Sequence, residues 1–256
     1  MVKITVCGAA GRMGQRIIAL AQENSVFSVT GALECVGHPR IGNGTPPITD
    51  DMLSLLPKSD VVVDFTAPGA TLAHLKDAVA QKKAIVIGTT GFDDAGVAAI
   101  TAAAKTIPVV FAPNMSVGIN VMLKVVADIA RLVPNYDIEI VELHHNQKKD
   151  APSGTAAKLF QVICEALGRN PAKTGVYGRE GIIGARTKNE IGVLAVRAGD
   201  IVGDHTVYFA GSGERIEVTH RAHSRDTLAS GALVAAQWVA DKKPGLYDMQ
   251  QVLGIK

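Results

Sequence analysis

At 256 residues the chain has the length for one large domain or two modest ones, each with its own core. Lys and Arg number 26 against 24 Asp and Glu, and aromatics make up only 4%, which argues against a nucleic-acid surface or electrostatic docking on a membrane. Three scattered cysteines (Cys7, Cys35, Cys164) make neither a disulfide framework nor a zinc site, and read as reduced thiols of a cytoplasmic protein.

The first apolar run, Val2 to Val6, reads as a buried strand and leaves no room ahead of it for a signal peptide. Gly8-Ala9-Ala10-Gly11-Arg12-Met13-Gly14 follows, then a helix through Ile17, Ile18, Leu20 and Ala21. Strand, glycine turn and helix in that order form a dinucleotide-binding pattern. The first glycine allows a tight turn, the second lets backbone approach a pyrophosphate, and the third lets helix pack on strand. The spacing is G-x-x-G-x-x-G, less specific than the commoner form. A second strand over 27–33 ends at Glu34, about twenty residues past the third glycine, where such folds place an acid on the ribose hydroxyls. Glu34 favours NADH by accepting from a 2′-hydroxyl and repelling a 2′-phosphate; His38 and Arg40 lie near enough to keep NADPH open.

The run from Gly42 to Pro47 reads as a loop. Asp60 to Thr66 is a buried strand ending in Asp64-Phe65-Thr66, and a helix covers 70–81. Another strand over 84–87 runs into Gly88-Thr89-Thr90-Gly91, whose small hydroxylated residues suit close approach to a ribose or nicotinamide, or simply turn into the next helix. A helix over 95–105 and a strand over 108–111 lead to Ala112-Pro113-Asn114-Met115-Ser116. Five strands separated by helices predict a doubly wound, Rossmann-like parallel sheet.

A helix over 118–131 enters the second half. The stretch Glu139 to Gly168 then holds the densest chemistry. An alternating strand (Ile140, Val141, Leu143) delivers His144, His145, Lys148, Lys149 and Asp150 before a helix with Ser153 as N-cap and Gly168 as its stop. Two imidazoles and two ammonium groups thus sit beside a helix N-terminus, whose free N–H groups and dipole attract anions. A small acidic substrate could be held there next to a proton donor; the plainer alternative is a solvated polar loop. Beyond it, strands over 190–197, 206–210 and 215–220 with turns at Gly199-Asp200 and Gly211-Ser212-Gly213 predict a mixed or antiparallel sheet in an α+β domain, with a face for self-association. His220 and His223 lack a third ligand at a recognised spacing and read as polar strand-end residues. A final helix over 227–240 is apolar enough to pack back on the first domain, and its apolar run, broken by Gln237, is too short to span a membrane. The expected division is therefore a dinucleotide-binding domain at 1–116 completed by 225–256, and a substrate-binding and oligomerisation domain at 117–224, with a hinge near Ser116 and Arg225.

With these residues assembled, the chain resembles the 4-hydroxy-tetrahydrodipicolinate (dihydrodipicolinate) reductase family of lysine and diaminopimelate biosynthesis. The matching segments are GAAGRMG at 8–14, Glu34, DFT at 64–66, GTTG at 88–91, APNMSVGIN at 112–120, ELHHNQKKDAPSGTA at 142–156, GDIVGDHTVYF at 199–209 and THRAHSRDTLASGA at 219–232. The resemblance implies an NAD(P)H-dependent homotetramer acting on a cyclic dicarboxylate. It implies cofactor contacts from Gly8, Ala9, Ala10, Gly11, Arg12, Met13, Glu34, Phe65, Thr66, Gly88, Thr89, Thr90, Ala112, Pro113, Asn114 and Met115. It makes His144 and Lys148 the proton-transfer pair, without choosing between them, and His145, Ser153, Gly154 and Thr155 the substrate-carboxylate contacts. Many members carry Arg after the ribose acid where this chain has Cys35, which favours NADH. A dehydrogenase with a catalytic cysteine would need a thiol better placed than these three, and an NAD(H)-sensing module would lack the His/Lys cluster.

Overall fold

The computed structural model describes residues 1–224 and 226–255. The chain divides into two compact units, Met1–Val117 with Asp226–Lys256, and Gly118–Arg225. The hinge expected at Arg225 lies outside the described residues.

In the first unit, β1 (Val2–Cys7) leads to α1 (Arg12–Gln22), β2 (Phe27–Leu33), β3 (Ile48–Thr49), α2 (Met52–Leu55), β4 (Val61–Asp64), α3 (Pro68–Ala80), β5 (Ala84–Ile87), α4 (Asp94–Ala103) and β6 (Pro108–Phe111). The second unit takes up the chain with α5 (Val117–Leu132), β7 (Asp137–His144), α6 (Gly154–Leu167), α7 (Pro171–Thr174), β8 (Gly175–Val176), β9 (Ile191–Arg197), β10 (Gly203–Ala210) and β11 (Arg215–Ala222). Then α8 (Asp226–Val239), β12 (Gly245–Tyr247) and α9 (Met249–Val252) return to the first unit.

The first sheet has seven parallel strands in the order β12-β6-β5-β4-β1-β2-β3, two more than the sequence pattern predicts. The additions, β3 and β12, are two and three residues long, too short to display a period. Successive core-strand residues pack on opposite faces. Ile4, Val6, Val61, Val63 and Val86 meet α1 and α8, whereas Val62, Ile85, Ile87 and Val109 meet α2, α3 and α4. Burial on both faces explains why these strands read as continuous apolar runs rather than alternating ones. Because all strands are parallel, Gly8, Phe65, Gly88 and Ala112 follow strand ends on one edge, and β1 is the point where chain order reverses. Open α/β sheets bind ligands at that place.

The second sheet is mixed, in the order β11-β10-β7-β9-β8. The turn at Gly199-Asp200 does not close a hairpin: β9 and β10 flank β7, parallel and antiparallel to it respectively. Local turn residues reveal a reversal of the chain but not which strand fills the gap. Register sets the inner face in rows: Ile191, Ile138, Phe209 and Ile216; then Val193, Ile140, Val207 and Val218; then Ala195, Glu142, His205 and His220; then Arg197, His144 and Gly203. Apart from the exposed Ile216, the first two rows pack under α5 and α6 as an apolar core. The last two rows carry the polar groups Glu142, His205, His220, Arg197 and His144. No helix among the described residues is long and apolar enough to cross a membrane.

Candidate active site

In the first unit the glycine turn has the shape the sequence predicts, for reasons visible in the backbone. Gly8 takes φ +72°, and a Cβ on Gly14 would lie 2.1 Å from the Gly8 carbonyl oxygen, so α1 approaches β1 only with glycine there. The helix starts at Gly11 with no side-chain cap, leaving its first N–H groups to be met by something else. Glu34 sits at the end of β2 with Oε1 accepting from Ala10 N (2.9 Å) and Oε2 from Cys35 N (3.1 Å), so the acid is held against the turn. Arg12 is exposed and Met13 half-buried at the helix start.

At the strand ends that follow, Thr66 and Thr89 turn their hydroxyls toward Asp64. That carboxylate is fully buried, and its Oδ1 accepts from Thr66 N (3.0 Å), Thr66 Oγ1 (2.6 Å), Thr71 Oγ1 (2.9 Å) and Thr89 Oγ1 (3.3 Å), while Oδ2 meets His74 Nδ1 at 2.7 Å. Burial alone would raise the Asp64 pKa, but His74 and the threonines outweigh it and hold the group below its ordinary value. Cys7 Sγ comes within 4.8 Å of this pair. A cation there would have to displace the His74 proton and ionise a thiol whose pKa burial, Asp64 and Glu34 push well upward. Phe65 packs its ring over Gly88, where a Cβ would lie 2.2 Å from it. Thr90 and Pro113 are exposed and Asn114 half-buried, whereas Ala112 and Met115 are core residues. Their buried side chains leave only backbone to offer a ligand, and the Met115 carbonyl is itself packed against Gly231 of α8.

In the second unit the polar rows converge on the start of α6. Glu142 is fully buried in the position its neighbours Ile138 and Ile140 fill with apolar carbon. Arg197 clamps both its oxygens, at 2.8 Å each, His144 Nδ1 meets Oε2 at 2.6 Å, and Ser153 N donates to Oε1 at 3.0 Å. Burial opposes the charge, yet Arg197, His144 and the Ser153 amide together keep the Glu142 pKa below its ordinary value. The His144 ring stands edge-on to His205, with centroids 5.2 Å apart, and its Nε2 lies 3.0 Å from where a Cβ on Gly203 would be. His205 is buried and pairs through Nε2 with Ser153 Oγ at 3.2 Å. Burial first, then the neighbouring His144, push its pKa down to about 4.

Ser153 caps α6 as the sequence predicts, its Oγ accepting from Ala156 N, and Gly168 ends the helix with φ +62°. Its amide, expected to lie open to a substrate carboxylate, is instead taken by Glu142. The residue is 2% exposed. Gly154 and Thr155 begin the helix beyond it. Lys148 Nζ lies 2.9 Å from both oxygens of Asp150, which lowers the Asp150 pKa. His145 is half-buried, and its carbonyl accepts from Lys148 N in the intervening turn. Sequence reasoning finds His144, Lys148 and the cap, but misses Glu142, Arg197 and His205. A charged or imidazole side chain at a core position of an alternating strand is the signal that marks Glu142 and His205.

Two models of dihydrodipicolinate reductase cover almost the whole chain, the N-terminal region over residues 2–115 and the C-terminal region over 118–253. The chain belongs to the dihydrodipicolinate reductase family. Among its relatives, the 4-hydroxy-tetrahydrodipicolinate reductases of Geotalea uraniireducens and Geobacter metallireducens are 53% and 54% identical, over the full length of both chains in each case. A dipicolinate-bound dihydrodipicolinate reductase from Paenisporosarcina sp. TG-14 superposes with a TM-score of 0.80 at 26% identity, covering 98% of each chain. An amine dehydrogenase from Mycobacterium smegmatis shares the fold alone, at 11% identity and a TM-score of 0.59, over 96% of this chain and 94% of its own.

Proposed function

We propose that this member of the family is a 4-hydroxy-tetrahydrodipicolinate reductase, reducing a cyclic dicarboxylate to tetrahydrodipicolinate with NAD(P)H in diaminopimelate and lysine biosynthesis. The observation that carries the reading is His144, backed by a buried carboxylate and set beside Lys148 and the start of α6. The name shared by full-length relatives above 50% identity, and the dipicolinate in a related structure, agree with it.

The first unit fits a dinucleotide. The uncapped start of α1, brought close to β1 by the glycine turn, suits a pyrophosphate held by Gly8 to Met13. Glu34 would take the adenosine ribose, and Phe65, Thr66, Gly88, Thr89, Thr90 and Ala112 to Met115 the nicotinamide half. When bound, the reduced nicotinamide supplies a hydride. Glu34 next to Cys35, with no arginine there, favours NADH over NADPH.

In the second unit His144 acts as the general acid. After the ring hydroxyl departs and C4 is reduced, the electron-rich enamine takes the Nε2 proton at the adjacent carbon, leaving a neutral imidazole that recovers a proton from water. Lys148, released from Asp150, meets a substrate carboxylate, with His145, Gly154 and Thr155 beside it. Ser153 serves that site by capping α6. The homotetramer that the family resemblance implies would be built on the outer face of the second sheet, opposite α5 and α6, and light scattering checks it. The reading is tested by adding the condensation product of pyruvate and aspartate semialdehyde to protein and NADH. Loss of absorbance at the nicotinamide band is expected; binding of NADH without turnover would make the protein a sensor instead.

A further inference from the structure

Glu142 is more than a structural anion. It sits one strand residue pair behind His144, with its side chain wholly buried, and its two oxygens collect four donors from three segments: Arg197 of β9, His144 of β7 and the Ser153 amide. Arg197 also donates to the Asp150 carbonyl at 2.7 Å, so the same guanidinium ties down the loop that carries Lys148. An ionised carboxylate has no proton to offer, so the ring nitrogen facing it must be the protonated one. We infer that Glu142, locked by Arg197, is a positioning residue that holds the neutral His144 in its Nδ1–H tautomer and so reserves Nε2 for proton exchange with substrate. This rests on the reading of His144 as the acid. When Nε2 releases its proton, the Nδ1 proton stays on the ring, donated to Glu142 Oε2, and the ring keeps its orientation for the return step.

Glutamine at position 142 separates this role from simple packing. An amide must point its NH2 group at one of the two oxygen sites. At Oε1 it would meet the Ser153 amide and an Arg197 nitrogen, two donors; at Oε2 it meets one Arg197 nitrogen and His144 Nδ1, which can become an acceptor. The second arrangement costs less and reverses the tautomer. The test is the imidazole 15N spectrum of ring-labelled protein above the titration range, with His144 assigned by difference from H144Q. Wild type should show the Nδ1–H pattern and E142Q the Nε2–H pattern, with turnover lowered 10-fold or more and the Kd for NADH within twofold. A wild-type spectrum in the Nε2–H form overturns the inference without any variant having to fold, as does an E142Q spectrum left in the Nδ1–H form. A reversed tautomer with unchanged turnover would instead uphold the positioning and remove His144 from the chemistry.

Discussion

His74 Nδ1 and Asp64 Oδ2 lie 2.7 Å apart, and the Asp64 side chain is wholly cut off from solvent. Its other oxygen gathers Thr66, Thr71 and Thr89, so this one carboxylate fastens the ends of β4 and β5 to α3. Asp64→Asn turns an NH2 group toward one set of these donors, and should cost roughly 3 kcal/mol of stability at neutral pH. Since the folded pKa is depressed, the carboxylate contributes fully above the unfolded value and loses its contribution as pH falls through the folded one. Urea denaturation of both proteins should therefore show a gap that is constant above about pH 5 and narrows below about pH 4.

His205 acts on the same acidic side, beginning at higher pH. Its folded pKa of about 4 lies below that of an unfolded histidine, so the unfolded chain takes up a proton first as pH drops. Stability should fall between about pH 6.5 and pH 4 by roughly 3 kcal/mol on this account. His205→Gln should remove that slope, which thermal melts at pH 7 and pH 5 will read directly; an equal slope in both proteins would place the titration elsewhere.

Gly203 is the floor under His144. A Cβ there would come within 3.0 Å of Nε2, and Glu142 prevents the ring from simply swinging aside. Gly203→Ala should lower turnover by about 10-fold through a misplaced imidazole. Its Kd for NADH, measured by fluorescence titration, should be unchanged, because the residue belongs to the other unit.

How much of this was readable beforehand depends on the distance over which each feature is encoded. The Ser153 cap, the Gly168 stop and the Gly8 turn each depend on residues a few positions apart, so local chemistry declares them. Glu142 and Arg197 are 55 positions apart and meet only because β9 lies parallel to β7, a pairing no turn signal specifies. Thr71 and His74 reach Asp64 from successive turns of α3, and nothing in their own segment names the partner. The inward Thr66 and Thr89 hydroxyls show the same limit: the sequence places them at strand ends, but the buried acid decides where they point.

Lys148 is held by Asp150 at 2.9 Å in the free protein, so a substrate carboxylate must displace an existing partner. Lys148→Ala should raise the substrate KM and lower kcat together, each by about 10-fold or more, if the ammonium holds the substrate carboxylate in the ground state and more tightly still in the transition state. Steady-state kinetics that changed neither would take Lys148 out of the site.

The most direct measurement is turnover of His144→Gln with the freshly made condensation product and NADH, beside the NADH affinity of the same protein. Loss of turnover by ~10²-fold or more with unaltered NADH binding is the predicted result. Turnover equal to wild type would contradict the assignment of His144 as the proton donor.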